Sequence, residues 1–103
     1  MDKAQFKAIL ESTFIEIKGL TTTKGEEYAN SDNQLANFHR LADRLGIKAE
    51  AIILVFLAKH MDAIDHFVRT GKKHSEPIQG RIDDAILYLL LLKAQIKETS
   101  AMN

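Results

Sequence analysis

Apolar residues recur at steps of three and four along most of the chain, and that spacing predicts helices. Phe6, Ile9, Leu10, Phe14 and Ile17 form the first stripe. Asp2 suits an N-cap and Gly19 a stop, so helix one is expected over roughly residues 3–18. A polar, threonine-rich loop is expected from Leu20 to Ser31. Asp32 can cap a second helix whose Leu35, Phe38, Leu41 and Leu45 repeat at helical spacing, and Gly46 ends it. A third helix is expected from about Ala49 to Thr70, stopping at Gly71. Pro77 suits the first turn of a fourth, where a missing N–H does no harm, with Ser75 or Glu76 as its cap. That helix fades near Glu98, and Thr99 to Asn103 are expected to fray. No strand pattern competes, and no repeat or second domain shows.

Helices of about 13 to 22 residues joined by loops of about 3 to 13 predict a single all-α domain, a four-helix bundle. Helix four stands apart. From Ala85 to Leu92 it is apolar on every face, and such a helix needs covering all round. Three partners, one of them short, leave a face over. The expectation is that oligomerisation completes the bundle, giving a homo-oligomer. The plainer alternative leaves Tyr88 and Leu91 facing solvent as isolated apolar residues.

Composition narrows the setting. The chain has 103 residues, 14 Lys and Arg against 14 Asp and Glu, and no cysteine. A fold of this mass buries roughly 65% of its unfolded surface, enough for a core without staples. Without cysteine there is neither a disulfide framework nor a thiolate metal site. The apolar octets Ala51 to Ala58 and Ala85 to Leu92 fall short of the ~20 residues of a membrane span, and the N-terminus does not read as a signal peptide. A soluble cytoplasmic protein is expected, with no membrane partner. Zero net charge gives no footprint for duplex nucleic acid. Locally, Arg69, Lys72, Lys73 and Arg81 against Glu76 make a basic stretch that would attract phosphate or simply stay solvated.

Three polar clusters could carry chemistry. In KGEEY, Lys24 to Tyr28, the carboxylates of Glu26 and Glu27 could serve a cation and Tyr28 could stack on a base, while Asn37 in NQLANF could hydrogen-bond one. An ordinary loop before a capped helix explains the same residues. In AKHMDAIDHF, His60 shares a stripe with Ile53, Phe56, Leu57, Ile64 and Phe67, so it faces the core or a pocket. A hydrogen-bonded core histidine is the commoner outcome. Lys59 and Asp62 are three apart, Asp62 and His66 four apart, so each pair can meet. No two histidines sit at i, i+4 on this helix, which speaks against zinc. In GRIDD, Arg81 and Asp84 are three apart and could pair. Arg81 in a helix's first turn equally suits a phosphate, and Asp84 a magnesium ion bridging to it. There is no P-loop, Rossmann glycine pattern, HExxH or GxSxG.

The series KGEEYA, NQLANF, FLAKHMDAI and SEPIQGRIDDAILYLLLL resembles a small helical family of phages and prophages, the nucleotide-modification-associated domain. The resemblance covers roughly residues 20–97. Helix four also looks like the last helix of the MazG-like, all-α nucleoside triphosphate pyrophosphohydrolases, where an ExxD pair precedes an apolar run. Asp84 matches that aspartate, but Arg81 stands where the glutamate belongs, and the EExxE signature is missing. The resemblance implies a phosphorylated nucleotide or nucleotide-derived signal held in a helical cleft, sequestered against host defence. Lys24, Lys59 and Arg81 would then meet phosphate, and Tyr28, Asn37 and His60 base or sugar. The alternative it implies is a magnesium-dependent hydrolase with Glu27, Asp62 and Asp84 on the metal. A helical interaction protein with no small ligand is the third reading.

Overall fold

A computed structural model of the chain describes residues 1–28, 33–72 and 76–102, with the side chains at 22–28 and 102 left aside. Among the described residues the chain is all-α, a helical bundle without strands. Its helices are α1 (Lys3–Tyr28), α2 (Ala36–Leu45), α3 (Ala49–Thr70) and α4 (Ile78–Met102). None of them is long and apolar enough to cross a membrane. The chain divides into two compact units, Met1–Asp32 and Asn33–Asn103.

The first unit is α1. Asp2 and Gln5 open it as a reciprocal capping box: Gln5 N–H donates to Asp2 Oδ1 and Asp2 N–H to Gln5 Oε1, both at 2.8 Å. Gly19 does not stop the helix, and the loop expected from Leu20 gives way to helix as far as Tyr28. The reason is local. Among the described residues positive φ is confined to Gly46 and Gly71, so Gly19 keeps helical geometry at a cost of about 1 kcal/mol relative to alanine. The apolar stripe also carries on past it to Leu20, which is half-buried. Thr21 does not compete with the helix, since its hydroxyl donates back to Lys18 O at 2.7 Å.

The second unit holds α2, α3 and α4. Asn33 Oδ1 accepts the Leu35 N–H at 2.9 Å just before α2. The expected cap Asp32 lies outside the described residues, as does Ser75. Gly46 ends α2 in the left-handed region at φ 68°, and Gly71 ends α3 at φ 73°. At both places a residue with a Cβ would be strained. Pro77 immediately precedes α4, and its carbonyl accepts the Arg81 N–H at 3.2 Å. Glu76 reaches the Arg81 side chain. α4 continues past Glu98 to Met102. Its last turns are tied to α3, because Thr99 Oγ1 donates to Glu50 Oε1 at 2.9 Å.

α3 and α4 run antiparallel. Glu50 lies opposite Thr99, Phe56 opposite Tyr88 and His60 opposite Asp84. α2 covers one face of this pair. Leu35 and Phe38 join Ala49, Ile52 and Ile53 in the core, with Phe56, Tyr88, Leu91 and Leu92 packed around it. Burying a side chain such as Ile53, which is wholly covered, contributes about 1.5–3 kcal/mol. Tyr88 and Leu91 therefore do not stand in solvent. Among the described residues the large apolar side chains of α4 that are exposed are Ile82, Leu89, Leu90 and Ile96.

Candidate functional site

Arg81 enters on the first turns of α4 and is turned inward, only 8% exposed. His60 is buried opposite it on α3. Their spacing is 3.3 Å between Arg81 Nη1 and His60 Nδ1. A guanidinium only donates, so Nδ1 accepts and the imidazole carries its proton on Nε2. Asp84 Oδ2 lies 3.9 Å from the same His60 nitrogen. Tyr88 stacks on the His60 ring at 5.4 Å and 26°, and on Phe56 at 6.0 Å and 7°. The cluster thus joins two charged side chains, one histidine and an aromatic wall.

One donor in this cluster is orphaned. Arg81 Nε is buried and has no hydrogen-bond partner among the described residues. The carboxylate of Glu76 stands 3.7 Å away, an ion pair but too long for a hydrogen bond. Buried donors are rarely left so, because each unmade bond costs about 1–3 kcal/mol. Glu76 is half exposed, so it can swing away without being buried elsewhere. An incoming anion could take its place and accept from the guanidinium edge, which suits two oxygens at once.

The candidate residues fall into three groups. His60, Arg81 and Asp84 converge. Lys59 and Asp62 are exposed on α3, and Asn37 is half-buried on α2 with its Oδ1 accepting from Arg40 Nη2 at 2.6 Å. The side chains of Lys24, Glu26, Glu27 and Tyr28 lie outside the described residues, as do Lys73 and His74 of the basic stretch. Among the described residues no group of three or more histidines and acids is placed to hold a metal ion.

A second polar network lies at the other end of the helix pair, and the sequence pattern did not single it out. Asn33 Nδ2 meets His39 Nδ1 at 3.1 Å, and His39 Nε2 meets Gln95 Oε1 at 2.7 Å. Gln95 Nε2 donates to Thr99 Oγ1 at 3.1 Å, and Thr99 donates to Glu50. Asn33 Oδ1 is occupied by the Leu35 N–H, so its amide nitrogen donates and fixes His39 as the Nε2–H tautomer. Glu98 approaches the same His39 nitrogen at 3.4 Å. The Glu50 carboxyl is held below its ordinary value, first by its own backbone N–H and then by the Thr99 hydroxyl. It thereby satisfies an amide at the start of α3, where Lys48 supplies no side-chain cap.

A shallow cavity of about 520 Å³ opens beside this network, with Lys48, Glu50, Gln95, Ile96 and Thr99 among its lining. Its buried polar member, Gln95, already has partners at both ends of its amide. A ligand there would have to displace bonds already made. The Arg81 cluster, about 15 Å along α3 from Glu50, offers a donor with none. The only signal that could have pointed to the network was a glutamine in the apolar stripe of α4. No family model, curated protein or solved structure matches the chain.

Proposed function

We propose that the chain binds a small phosphorylated nucleotide, or a signal derived from one, with a phosphate held by Arg81 at the start of α4. The observation that carries this reading is the buried Arg81 Nε without a hydrogen-bond partner. The first-turn amides of α4 add to it, because a helix N-terminus favours an anion. His60 supplies a polar edge beside the guanidinium, and Glu76 is the residue that the phosphate displaces. Lys24, Tyr28, Asn37 and Lys59 are assigned supporting contacts by the family resemblance alone.

Holding is favoured over cutting. Phosphoanhydride hydrolysis by carboxylates needs a metal to neutralise charge and activate water. Asp84 is the natural ligand, but it faces the same His60 nitrogen that receives the Arg81 guanidinium. A divalent cation at Asp84 would share its surroundings with that positive charge. In this reading the protein retains its nucleotide intact, acts by sequestration in the cytoplasm, and works as a homo-oligomer.

The test is native mass spectrometry of protein taken directly from cells, followed by incubation with nucleoside triphosphates and magnesium and analysis of what heat releases. An intact nucleotide is the expected result. A monophosphate with pyrophosphate, formed over many turnovers and abolished by Asp84→Asn, would replace sequestration with catalysis.

A further inference from the structure

The face of the α3/α4 pair opposite α2 is apolar, and α2 does not cover it. On α3, Leu54, Met61 and Val68 repeat at seven-residue intervals. On α4, Ile82, Leu89 and Ile96 do the same. Each of the six is between 41% and 76% exposed. At 100° per residue, each set lies well round its helix from the residues that meet α2, and the two sets come out on the same side of the antiparallel pair. Between them run Leu57 and Ile64 on α3, and Ala85 and Leu92 on α4. Each helix therefore shows a 3–4 spaced seam, the pattern by which helices interlock at shallow crossing angles.

We propose that this face is the interface with a second copy of the chain, two α3/α4 pairs packing about a two-fold axis into a four-helix layer. Four observations favour a second copy over another occupant. The face is self-complementary, with two parallel seams of similar side chains, as an isologous contact requires. Its extent fits: 22 and 25 residues make helices about 33 and 37 Å long, and a pair about 20 Å wide presents roughly 660 Å² before side-chain relief is counted. A stable dimer buries roughly 800 Å² per partner. The six positions carry no charge, with Asp65 and Lys93 at the rims, so an apolar centre has a polar border. Zero net charge removes self-repulsion, and with no cation among the six positions and one lysine at the rim, the face disfavours an anionic membrane or a nucleic acid.

Sedimentation of the full chain at micromolar concentration tests this. The wild type is expected at twice the 11.6 kDa chain mass. Leu89→Glu and Met61→Glu, placed on different helices, should each weaken the dimer at least about a hundredfold, because each buries an unpaired charge. Both positions are half exposed in the single chain, so circular dichroism should show full helicity in the resulting monomers. Leu10→Glu on α1 should leave the dimer intact. A monomeric wild type, or a dimer indifferent to both substitutions, would overturn the proposal. So would dissociation by Leu10→Glu, which would make the α1 stripe the occupant.

Discussion

Arg81 donates to Nδ1 of His60 across the α3/α4 boundary, at 3.3 Å. That contact fixes both the charge and the tautomer of a buried imidazole. Nitrogen NMR of the histidines at neutral pH should show the His60 proton on Nε2 and a bare Nδ1. A proton on Nδ1 would mean that Arg81 is not its partner. The same contact sets the cost of mutation. Arg81→Ala should lose about 1–3 kcal/mol in urea unfolding, because it removes the charged donor from a buried hydrogen bond to His60. Glu76→Gln, at a half-exposed position, should lose less than about 1 kcal/mol. Equal losses would mean that the guanidinium is held by Glu76 alone.

Gly19 and Gly46 should respond in opposite directions. Gly19 sits inside α1, and beyond the adjoining residues and backbone of its own helix nothing described lies within 4 Å of an added Cβ. Gly19→Ala should stabilise the protein by about 0.5–1 kcal/mol. Gly46 has φ 68°, and Gly46→Ala should destabilise by about 1–2 kcal/mol. Thermal melts of the two variants decide it. Destabilisation by Gly19→Ala would indicate that α1 ends where the sequence pattern suggested.

The boundaries of α3 were legible because glycine at a left-handed C-terminus and the polar-to-apolar change at Ala49 are both local signals. The length of α1 was not. A glycine that stays helical and threonines that bond back to their own helix look, in sequence, like a stop and a loop. His60 was legible as an inward residue from its stripe. The inward turn of Arg81 was not, since its partner lies 21 positions away on another helix. The network of His39, Gln95, Thr99 and Glu50 was missed for the same reason: His39 and Gln95 are 56 positions apart.

Glu50 should make stability depend on acid. Its folded-state value lies below the ordinary 4.5, so its contribution is present above that pH and is lost as pH falls further and the carboxylate takes a proton. The wild-type melting temperature should drop more steeply than that of Glu50→Gln between about pH 5 and about pH 3. Parallel slopes would show that the carboxylate is not held by its amide and Thr99.

Gln95 bridges His39 and Thr99 from a buried position. Gln95→Met keeps most of the volume but removes the acceptor of the His39 N–H and the donor to the Thr99 oxygen, two hydrogen bonds. A loss of about 1–3 kcal/mol is expected. Unchanged unfolding in urea would reduce the network to surface contacts.

The reading of Arg81 as a phosphate-holding residue is tested most directly by calorimetric titration of a nucleoside triphosphate, and of its unphosphorylated nucleoside, into wild type and Arg81→Lys. Lysine keeps the charge but loses the Nε donor and the planar fork. The triphosphate should bind the wild type, the nucleoside should not, and Arg81→Lys should weaken binding by about tenfold or more while its circular dichroism stays helical. Equal affinity of the two proteins for the triphosphate, or no heat from either at millimolar concentration, would contradict a phosphate site at Arg81.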